Sequence, residues 1–301
     1  MSFFPRSFRE SAVPLARGRD LRRRIQSGAL WVMAWTVTAC ALLVVLDILV
    51  SVVSRGVPGL RLSLFLTQTS GVAGGLQNAV LGTLDLIFWS ILFGAPLGIL
   101  AGIHIALFAS PAMGRLLRFT AEVMAGIPSI VIGYFGYTIM VQAWGFGFSV
   151  LAGAISLTIL TLPYIVRTTE ASLRQVPKSF YEGALALGLS PGAALRSVLL
   201  PPALPGILTG LLLAISIGLG ETAPLLYTAG WSNYNPSLHL VKNPVGYLTY
   251  VVWTYLNVPY SAAHQLAYTA ALLLVLLVLA LQVAVRLLER AARMSSAGNS
   301  T

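Results

Sequence analysis

Long apolar runs separated by short polar stretches dominate this sequence. A bilayer-spanning helix needs about 20 apolar residues, and six runs reach about that length: Ala29–Val53, Leu76–Phe108, Phe119–Trp144, Val150–Val166, Ala203–Tyr227 and Ala262–Leu288. Because glycine and proline mark helix bends, we expect breaks at Gly94–Pro96 and Gly126–Pro128. The pattern predicts an all-α polytopic membrane protein with six transmembrane helices.

The polar stretches predict the connections between these helices. Residues 54–75 predict a glycine-rich loop, and residues 110–118 predict a short basic turn. The apolar segment Val245–Leu256 is too short to span a bilayer. Its aromatic residues are typical of a membrane interface: Tyr247, Tyr250, Trp253 and Tyr255. We interpret it as an interfacial helix on the outer face, with a re-entrant half-span as the alternative.

The connection between the fourth and fifth runs predicts two short helices. Ser179 and Glu182 have the spacing of a capping box. Gly188 is placed to stop the first helix in a left-handed conformation. Ser190–Pro191 is suited to begin the second helix, and Pro201–Pro202 to end it. On these local signals alone, an ordinary interhelical loop remains an equal alternative.

Composition agrees with a membrane protein. The 301 residues are 57% hydrophobic and 9% charged, whereas soluble domains contain about 25% charged residues. The only cysteine, Cys40, lies in an apolar run, so we expect neither a disulfide nor a metal site. The net charge of +10 does not indicate nucleic-acid binding, because seven of the 19 basic residues simply precede the first run. Membrane lipid is the expected surrounding.

The basic residues also predict the orientation. Six spans place both termini on one side, and all but three of the 19 Lys and Arg residues fall on that side. The exceptions are Arg55, Arg61 and Lys242. Because cytoplasmic loops carry the excess of Lys and Arg, we expect both termini to be cytoplasmic. The first run is longer than the apolar core of a signal peptide, so we interpret it as an uncleaved span.

The two short helices carry a longer motif. Glu182-Gly183-Ala184, then Gly188, then Val198-Leu199-Leu200-Pro201 resembles the EAA loop of ABC-importer permeases. The resemblance implies that residues 179–201 are cytoplasmic coupling helices that bind an ATPase subunit. The residues implied in coupling are Glu182, Gly183, Ala184, Gly188 and Pro201.

Further segments resemble the PstA family of phosphate ABC-importer permeases: Gly75–Leu84, Pro96–Gly102, Ala125–Gly133, Leu162–Glu170 and Gly220–Leu225. This resemblance implies a type I ABC-importer permease fold in the bacterial inner membrane. It implies three partners, which are a PstC-like permease in a heterodimer, a homodimeric ATPase that binds ATP and Mg, and an extracytoplasmic phosphate-binding protein. It implies no cofactor in this chain. Family members commonly carry an arginine where this chain has Ile217.

We divide the chain accordingly. Residues 1–28 are a basic cytoplasmic tail, and residues 29–73 are the first span with its outer loop. Residues 74–288 are the permease domain, and residues 289–301 are a second cytoplasmic tail.

Charged groups within a bilayer are costly and mark functional positions. The predicted substrate path comprises Arg167, Glu170, Glu221 and Thr222. Arg167 and Glu170 are close enough on one helical face to pair, and they either serve the path or only neutralise each other. Glu221 lies beside a helix break at Pro224. The sequence does not assign a role to four further polar residues: Asp47, Asp85, Glu122 and His104.

Rows of small residues at four-residue spacing let helices approach closely in lipid. One row lies in the second run and needs no explanation beyond packing within the chain: Gly94, Gly98 and Gly102. For the row in the fifth run we favour a subunit interface over internal packing: Gly206, Gly210, Ala214 and Gly218.

Three functions predict different features of this sequence. An ABC-importer permease binds ATP through a partner, and the sequence around Lys178 and Lys242 offers no phosphate-binding G-K-[ST] loop. A proton-coupled secondary transporter using Glu122 and Glu221 predicts inverted repeats, and none is recognisable. An intramembrane enzyme predicts a catalytic constellation in the spans, which the sequence does not contain. The permease is favoured, for phosphate or another oxyanion.

Overall fold

The computed structural model describes residues 17–71 and 73–298. The chain divides into two compact units, Met1–Ser51 and Val52–Thr301. The described part of the first unit is helical and belongs to α1 (Arg17–Gly56). The second unit contains the other helices: α2 (Leu62–Leu66), α3 (Gln77–Ile103), α4 (Pro111–Gly126), α5 (Ser129–Gly136), α6 (Val150–Arg174), α7 (Lys178–Ala186), α8 (Pro191–Ala194), α9 (Leu200–Gly220), α10 (Ala223–Thr228), α11 (Leu248–Leu256) and α12 (Ser261–Gly298).

Shorter elements join these helices. Wider π-helical turns follow α3, α5 and α8 at His104–Phe108, Tyr137–Ala143 and Leu195–Leu199. The predicted glycine-rich loop contains a 3-10 turn, α2 and two antiparallel strands, β1 (Thr69–Ser70) and β2 (Ala73–Gly74). Apart from these two-residue strands, the regular elements of the described structure are helices, as predicted.

Within the described residues, five helices are long and apolar enough to cross a membrane: Gln26–Gly59, Gln77–Phe108, Val150–Arg174, Pro191–Gly220 and Ser261–Ala284. The third predicted run forms α4 and α5 with its π turn, and the two parts are bent by 93°. The predicted break there is confirmed. Its cause is Pro128, which pushes Ile127 into an extended conformation (ψ 126°).

Three other predicted interruptions are wrong. α3 continues through Pro96. The segment predicted as a basic turn is the start of α4, because Ser110 accepts a first-turn backbone N–H (3.3 Å) and Pro111 takes the first helical position. Pro201–Pro202 do not end a helix, because they lie in the first turn of α9, where a missing N–H costs little.

α6 forms the centre of the larger unit. In its most apolar stretch 67% of the residues are buried, compared with 28% in α3. α3, α4, α9 and α10 all pack against it. Glycines make the contact with α3 close: a Cβ at Gly98 would lie 2.7 Å from Ile165 Cβ, and one at Gly102 would lie 2.6 Å from Thr169 Cβ. The expected internal packing of this glycine row is confirmed.

The small residues of α9 face the same way. A Cβ at Gly210 would collide with the side chain of Thr168, and one at Gly206 with the side chain of Ser172. Both neighbours belong to α6. The preference for a subunit interface is therefore wrong, because the row packs within the chain: Gly206, Gly210, Ala214 and Gly218.

The segment predicted as an interfacial helix is partly internal. α11 packs against α12 and α3, and Tyr247 and Tyr255 are buried. Tyr250 stacks on Trp231 with ring centroids 4.3 Å apart. Of the four aromatic residues of the prediction, Trp253 alone is largely exposed, at 59%. The interfacial prediction is therefore wrong for the buried face of α11 and stays a prediction for the face that carries Trp253.

Gly210→Ala is expected to destabilise the protein, because its methyl group would overlap Thr168 across the α6–α9 contact. Overpacking of this kind costs about 1–3 kcal/mol. The thermal unfolding midpoint of the detergent-solubilised protein measures the effect. Gly220→Ala is the matched control on the same helix, because its Cβ would meet no atom within 4 Å. Equal midpoints for the two variants would contradict this packing.

Candidate functional site

Residues 178–199, here called the coupling segment, are organised around a glycine turn. Gly188 has φ +84°, as predicted. Its N–H donates to the Leu185 carbonyl (3.0 Å), and the Leu189 N–H donates to the Ala184 carbonyl (3.1 Å). These two bonds form a Schellman motif, which satisfies carbonyls at the end of α7. Gly188 therefore fixes the direction in which the chain leaves α7 towards α8.

The start of α7 differs from the prediction. The helix begins at Lys178 after Pro177, so Ser179 lies inside the first turn and the capping box with Glu182 is wrong. Pro177 determines this start, because its extended backbone (ψ 134°) precedes the helix directly. The prediction for the second helix is confirmed, since Ser190 accepts a backbone N–H from the first turn of α8 (3.3 Å).

The coupling segment exposes apolar side chains. Leu187 is 84% exposed and Phe180 is 57% exposed. Glu182 and Gly183 are also exposed, whereas Ala184 is buried. A surface of exposed apolar side chains is suited to binding another protein.

A π turn connects this surface to a spanning helix. α8, the turn Leu195–Leu199 and α9 form one continuous helical stretch, Pro191–Gly220. Pro201 lies directly after the turn and has no N–H to donate to the preceding turn. π turns and proline are both associated with local changes in helix direction. The coupling segment is thus joined to α9 without a loop.

Ion pairs join α4 to α6. The Glu170 carboxylate accepts from Arg118 of α4 and from Arg174 of its own helix, both at 2.8 Å. Arg167 pairs with Glu122 of α4, also at 2.8 Å. The predicted pairing of Arg167 with Glu170 is therefore wrong. α4 approaches α6 closely enough to offer each of these residues a partner on another helix.

The two acidic residues of this cluster have different surroundings. The Glu170 side chain is 7% exposed, whereas that of Glu122 is 58% exposed. Three arginines and two glutamates leave the described cluster with a net charge of +1. A net positive cluster between helices can attract an anion, and guanidinium groups suit oxyanions because they donate in a planar fork.

Glu221 and Thr222 lie in a second cluster, at the break between α9 and α10. Glu221 has an extended backbone (ψ 134°), and Pro224 follows within the first turn of α10. The Glu221 backbone carbonyl accepts from the Thr249 hydroxyl (2.8 Å). The predicted break is therefore present, and α11 holds one of its residues.

The two clusters lie at different levels of α6. Leu157 of α6 lines a small cavity together with Glu221, and Arg167 lies ten residues further along that helix. At 1.5 Å per residue this separation is about 15 Å along the axis. The four residues of the predicted path therefore form two separate groups.

Sequence reasoning missed several residues of these clusters. Glu170 and Arg174 have the i,i+4 spacing of a helical ion pair, so that pair could have been found. The partners on other helices could not, because nothing local relates Arg118 to Glu170, or Thr249 to Glu221.

The family model of binding-protein-dependent transport system inner membrane components matches residues 94–294. The phosphate transport system permease protein PstA 2 of Mycobacterium bovis is 46% identical over 272 residues, covering 89% of each chain. The PstA protein of Yersinia pestis is 39% identical over 245 residues, covering 80% of this chain and 82% of the relative. The chain therefore belongs to the PstA permease family. As a PstA-family permease it is a multi-pass membrane subunit of a transport system.

Solved structures agree with the fold of a PstA-family permease. The MetNI methionine ABC transporter in an inward-facing conformation matches 72% of this chain and 94% of its own, with a TM-score of 0.57 and 23% identity. A bacterial ABC transporter that imports alginate matches 92% of this chain and 99% of its own, with a TM-score of 0.62 and 15% identity. The predicted ABC-importer permease fold is confirmed.

Glu170→Gln is expected to weaken the α4–α6 contact of this PstA-family permease. Hydrogen bonds to charged groups contribute about 1.5–3 kcal/mol, and Glu170 accepts two of them. The thermal unfolding midpoint should fall. Glu122→Gln is the matched control on the exposed ion pair, where the expected cost is about 0–1 kcal/mol. A larger fall in the unfolding midpoint for Glu122→Gln than for Glu170→Gln would contradict this expectation, because the exposed ion pair would then stabilise the protein more than the buried one.

Proposed function

We propose that this permease imports inorganic phosphate as one half of the membrane channel of an ABC importer. In this proposal a PstC-like permease supplies the other half. A homodimeric ATPase binds ATP and Mg and contacts the coupling segment, so hydrolysis takes place outside this chain, which needs no cofactor of its own. An extracytoplasmic phosphate-binding protein delivers the substrate. Both termini lie in the cytoplasm of a bacterial cell.

One observation carries the proposal of phosphate. The chain is 46% identical, over 89% of both lengths, to a protein named as a phosphate transport system permease. The charge of the α4–α6 cluster supports an anionic substrate, because a buried ion without a partner costs several kcal/mol. The exposed apolar residues Leu187 and Phe180 of the coupling segment support an ATPase partner.

Ile217 supports the second candidate, a permease for a different oxyanion. It occupies the position of an arginine that is common in the family, so the path has one cation fewer. Uptake of labelled phosphate decides between the candidates, in a strain that lacks other phosphate importers and expresses the whole complex. Uptake of sulfate or molybdate in place of phosphate would favour the second candidate. Uptake driven by a proton gradient without ATP would contradict both.

Gly188→Val is expected to uncouple ATP hydrolysis from transport while the protein still inserts. Valine disfavours the φ of +84° that the turn requires, so α8 would leave α7 in a different direction. Glu182→Lys should have a similar effect, because it reverses an exposed charge on α7. Substrate-stimulated ATPase activity and uptake in the assembled complex measure both variants.

Gly192→Ala is the matched control for this coupling prediction. Its Cβ would meet no atom within 4 Å, and its φ lies outside the left-handed region. We expect uptake close to that of the wild type. Unchanged ATPase activity and uptake in both Gly188→Val and Glu182→Lys would rule out the proposed role of the coupling segment.

Arg167→Gln is expected to reduce phosphate uptake by at least about tenfold, equivalent to 1.4 kcal/mol, with the complex still assembled. Arg167→Lys should retain part of the activity, because it keeps the charge without the planar fork. Glu122→Gln should change uptake only mildly, because it releases Arg167 from its ion pair. Normal uptake by Arg167→Gln would mean that Arg167 only marks the membrane boundary.

A further inference from the structure

Two spanning segments meet at one boundary of the membrane. One is Gln26–Gly59, which ends there, and the other is Ser261–Ala284, which begins there. The Thr269 hydroxyl donates to the carbonyl of Gly56 (3.1 Å), and a Cβ at Gly59 would collide with the Thr269 side chain. Packing and hydrogen bonding therefore fix these two helix ends side by side.

A cavity of about 360 Å³ lies beside these helix ends. One wall is the start of α12, including Gln265, and the other is the segment after the first span, including Arg61 and Ser63. The second wall is held in place, since Leu64 is buried and its carbonyl accepts from the Leu76 N–H (2.7 Å). The cavity therefore lies between packed elements at the membrane boundary.

Arg61 gives this cavity a positive charge that the surrounding chain does not neutralise. Residues 54–84 and 228–288 contain no Asp or Glu. In the part of the chain that the structure describes, every ion pair involves α4 or α6, so Arg61 belongs to none. The other arginine of this region, Arg55, lies over the ring of Tyr268 (5.1 Å) and donates to its hydroxyl (3.0 Å). Arg61 is therefore available to an anion from outside the chain.

Exposed apolar side chains follow Arg61 along α2. Leu62 is 76% exposed, Leu66 65% and Phe65 41%. Such side chains suit the boundary between headgroups and acyl chains, where an arginine beside them can reach a headgroup phosphate. Inorganic phosphate would satisfy Arg61 and leave the apolar side chains uncovered, whereas a phospholipid would cover both.

We propose that this cavity binds the headgroup of an anionic phospholipid, with Arg61 on its phosphate and the exposed apolar residues of α2 against its acyl chains. Ser63 and Gln265 line the cavity with polar groups that suit a glycerol headgroup. Choline and ethanolamine headgroups are disfavoured, because residues 54–84 and 228–288 offer no carboxylate to an ammonium group. In the orientation proposed above the site faces the outer leaflet. The inference is independent of the transported substrate.

Titration of the detergent-solubilised full-length chain with phosphatidylglycerol tests the site, with bound lipid counted by native mass spectrometry. We expect one lipid to be retained more tightly than the others. Arg61→Gln should weaken its binding by at least about tenfold, because a hydrogen bond to a charged group contributes that much. Arg61→Lys should retain part of the affinity, because it keeps the charge.

Lys242→Gln is the matched control. Lys242 is an exposed cation predicted on the same side of the membrane, and it does not line the cavity. This variant should bind phosphatidylglycerol as the wild type does. An equal loss of affinity in Arg61→Gln and Lys242→Gln would overturn the proposal, since binding would then follow from general charge, and so would no loss in Arg61→Gln.

Two further ligands distinguish the possible sources of the phosphate group. Phosphatidylcholine should bind at least about tenfold more weakly than phosphatidylglycerol, because its ammonium group finds no acidic partner. Inorganic phosphate at millimolar concentration should not displace phosphatidylglycerol. Equal binding of the two lipids would overturn the anionic headgroup. Displacement by inorganic phosphate would assign the cavity to the free ion and overturn the lipid.

Leu62→Gln tests the contact with the acyl chains. It should weaken phosphatidylglycerol binding several-fold, because it removes apolar area that the lipid covers. The unfolding midpoint without added lipid should stay unchanged in Leu62→Gln and in Arg61→Gln, because both residues are exposed. Weaker binding is then assigned to the site and not to unfolding. Unchanged affinity in Leu62→Gln would overturn the choice of a lipid as the ligand.

Discussion

The close contact of α3 and α9 with α6 forms the centre of the larger unit, and α4, α5 and α10 also pack against α6. Lipid tails are as apolar as leucine side chains, so helices in a bilayer associate through tight packing between backbones. The glycines of α3 and α9 provide the space. On α6, Thr168 donates its hydroxyl to the carbonyl of Tyr164 in its own helix (2.8 Å), and Thr161 does the same with Leu157 (2.8 Å). These threonines satisfy their polar groups locally and can pack against a neighbouring helix.

This packing determines what the polar groups can do. α4 lies against the same central helix, so Arg118 pairs with Glu170 and Glu122 pairs with Arg167 between the two helices, in addition to the Arg174–Glu170 pair along α6. Glu170 is tolerated in a buried position because two arginines donate to it. The second cluster also depends on α6, since Gly153 of α6 lies close to Leu225 of α10 and to Ala229, the residue that follows α10.

Much of the fold follows from the sequence, because a bilayer requires long apolar helices and few other structures satisfy the backbone there. The six runs, the break before Pro128 and the left-handed Gly188 were all predictable from local patterns. The errors have a common physical origin. Local patterns predict a break at Pro96 and a helix end at Pro201, whereas α3 and the helical stretch Pro191–Gly220 continue through these residues, because neighbouring helices and local adjustments of the turn accommodate a lost bond. The small residues of α9 were assigned to a partner, because a sequence does not show which helix a row of glycines faces.

The candidate site was less predictable for the same reason. Residues with unusual chemistry were recognisable one by one, but their partners lie on other helices. The connection from the coupling segment to Glu221 illustrates the limit. Pro201, Pro202 and Pro205 remove three N–H donors near the start of α9. Packing holds this part of the helix instead, because Leu199, Ala203 and Ile207 are buried in one cluster with Leu173 of α6. From Gly206 onwards α9 is also packed closely against α6, so the helix is held along its length between the coupling segment and the break at Glu221.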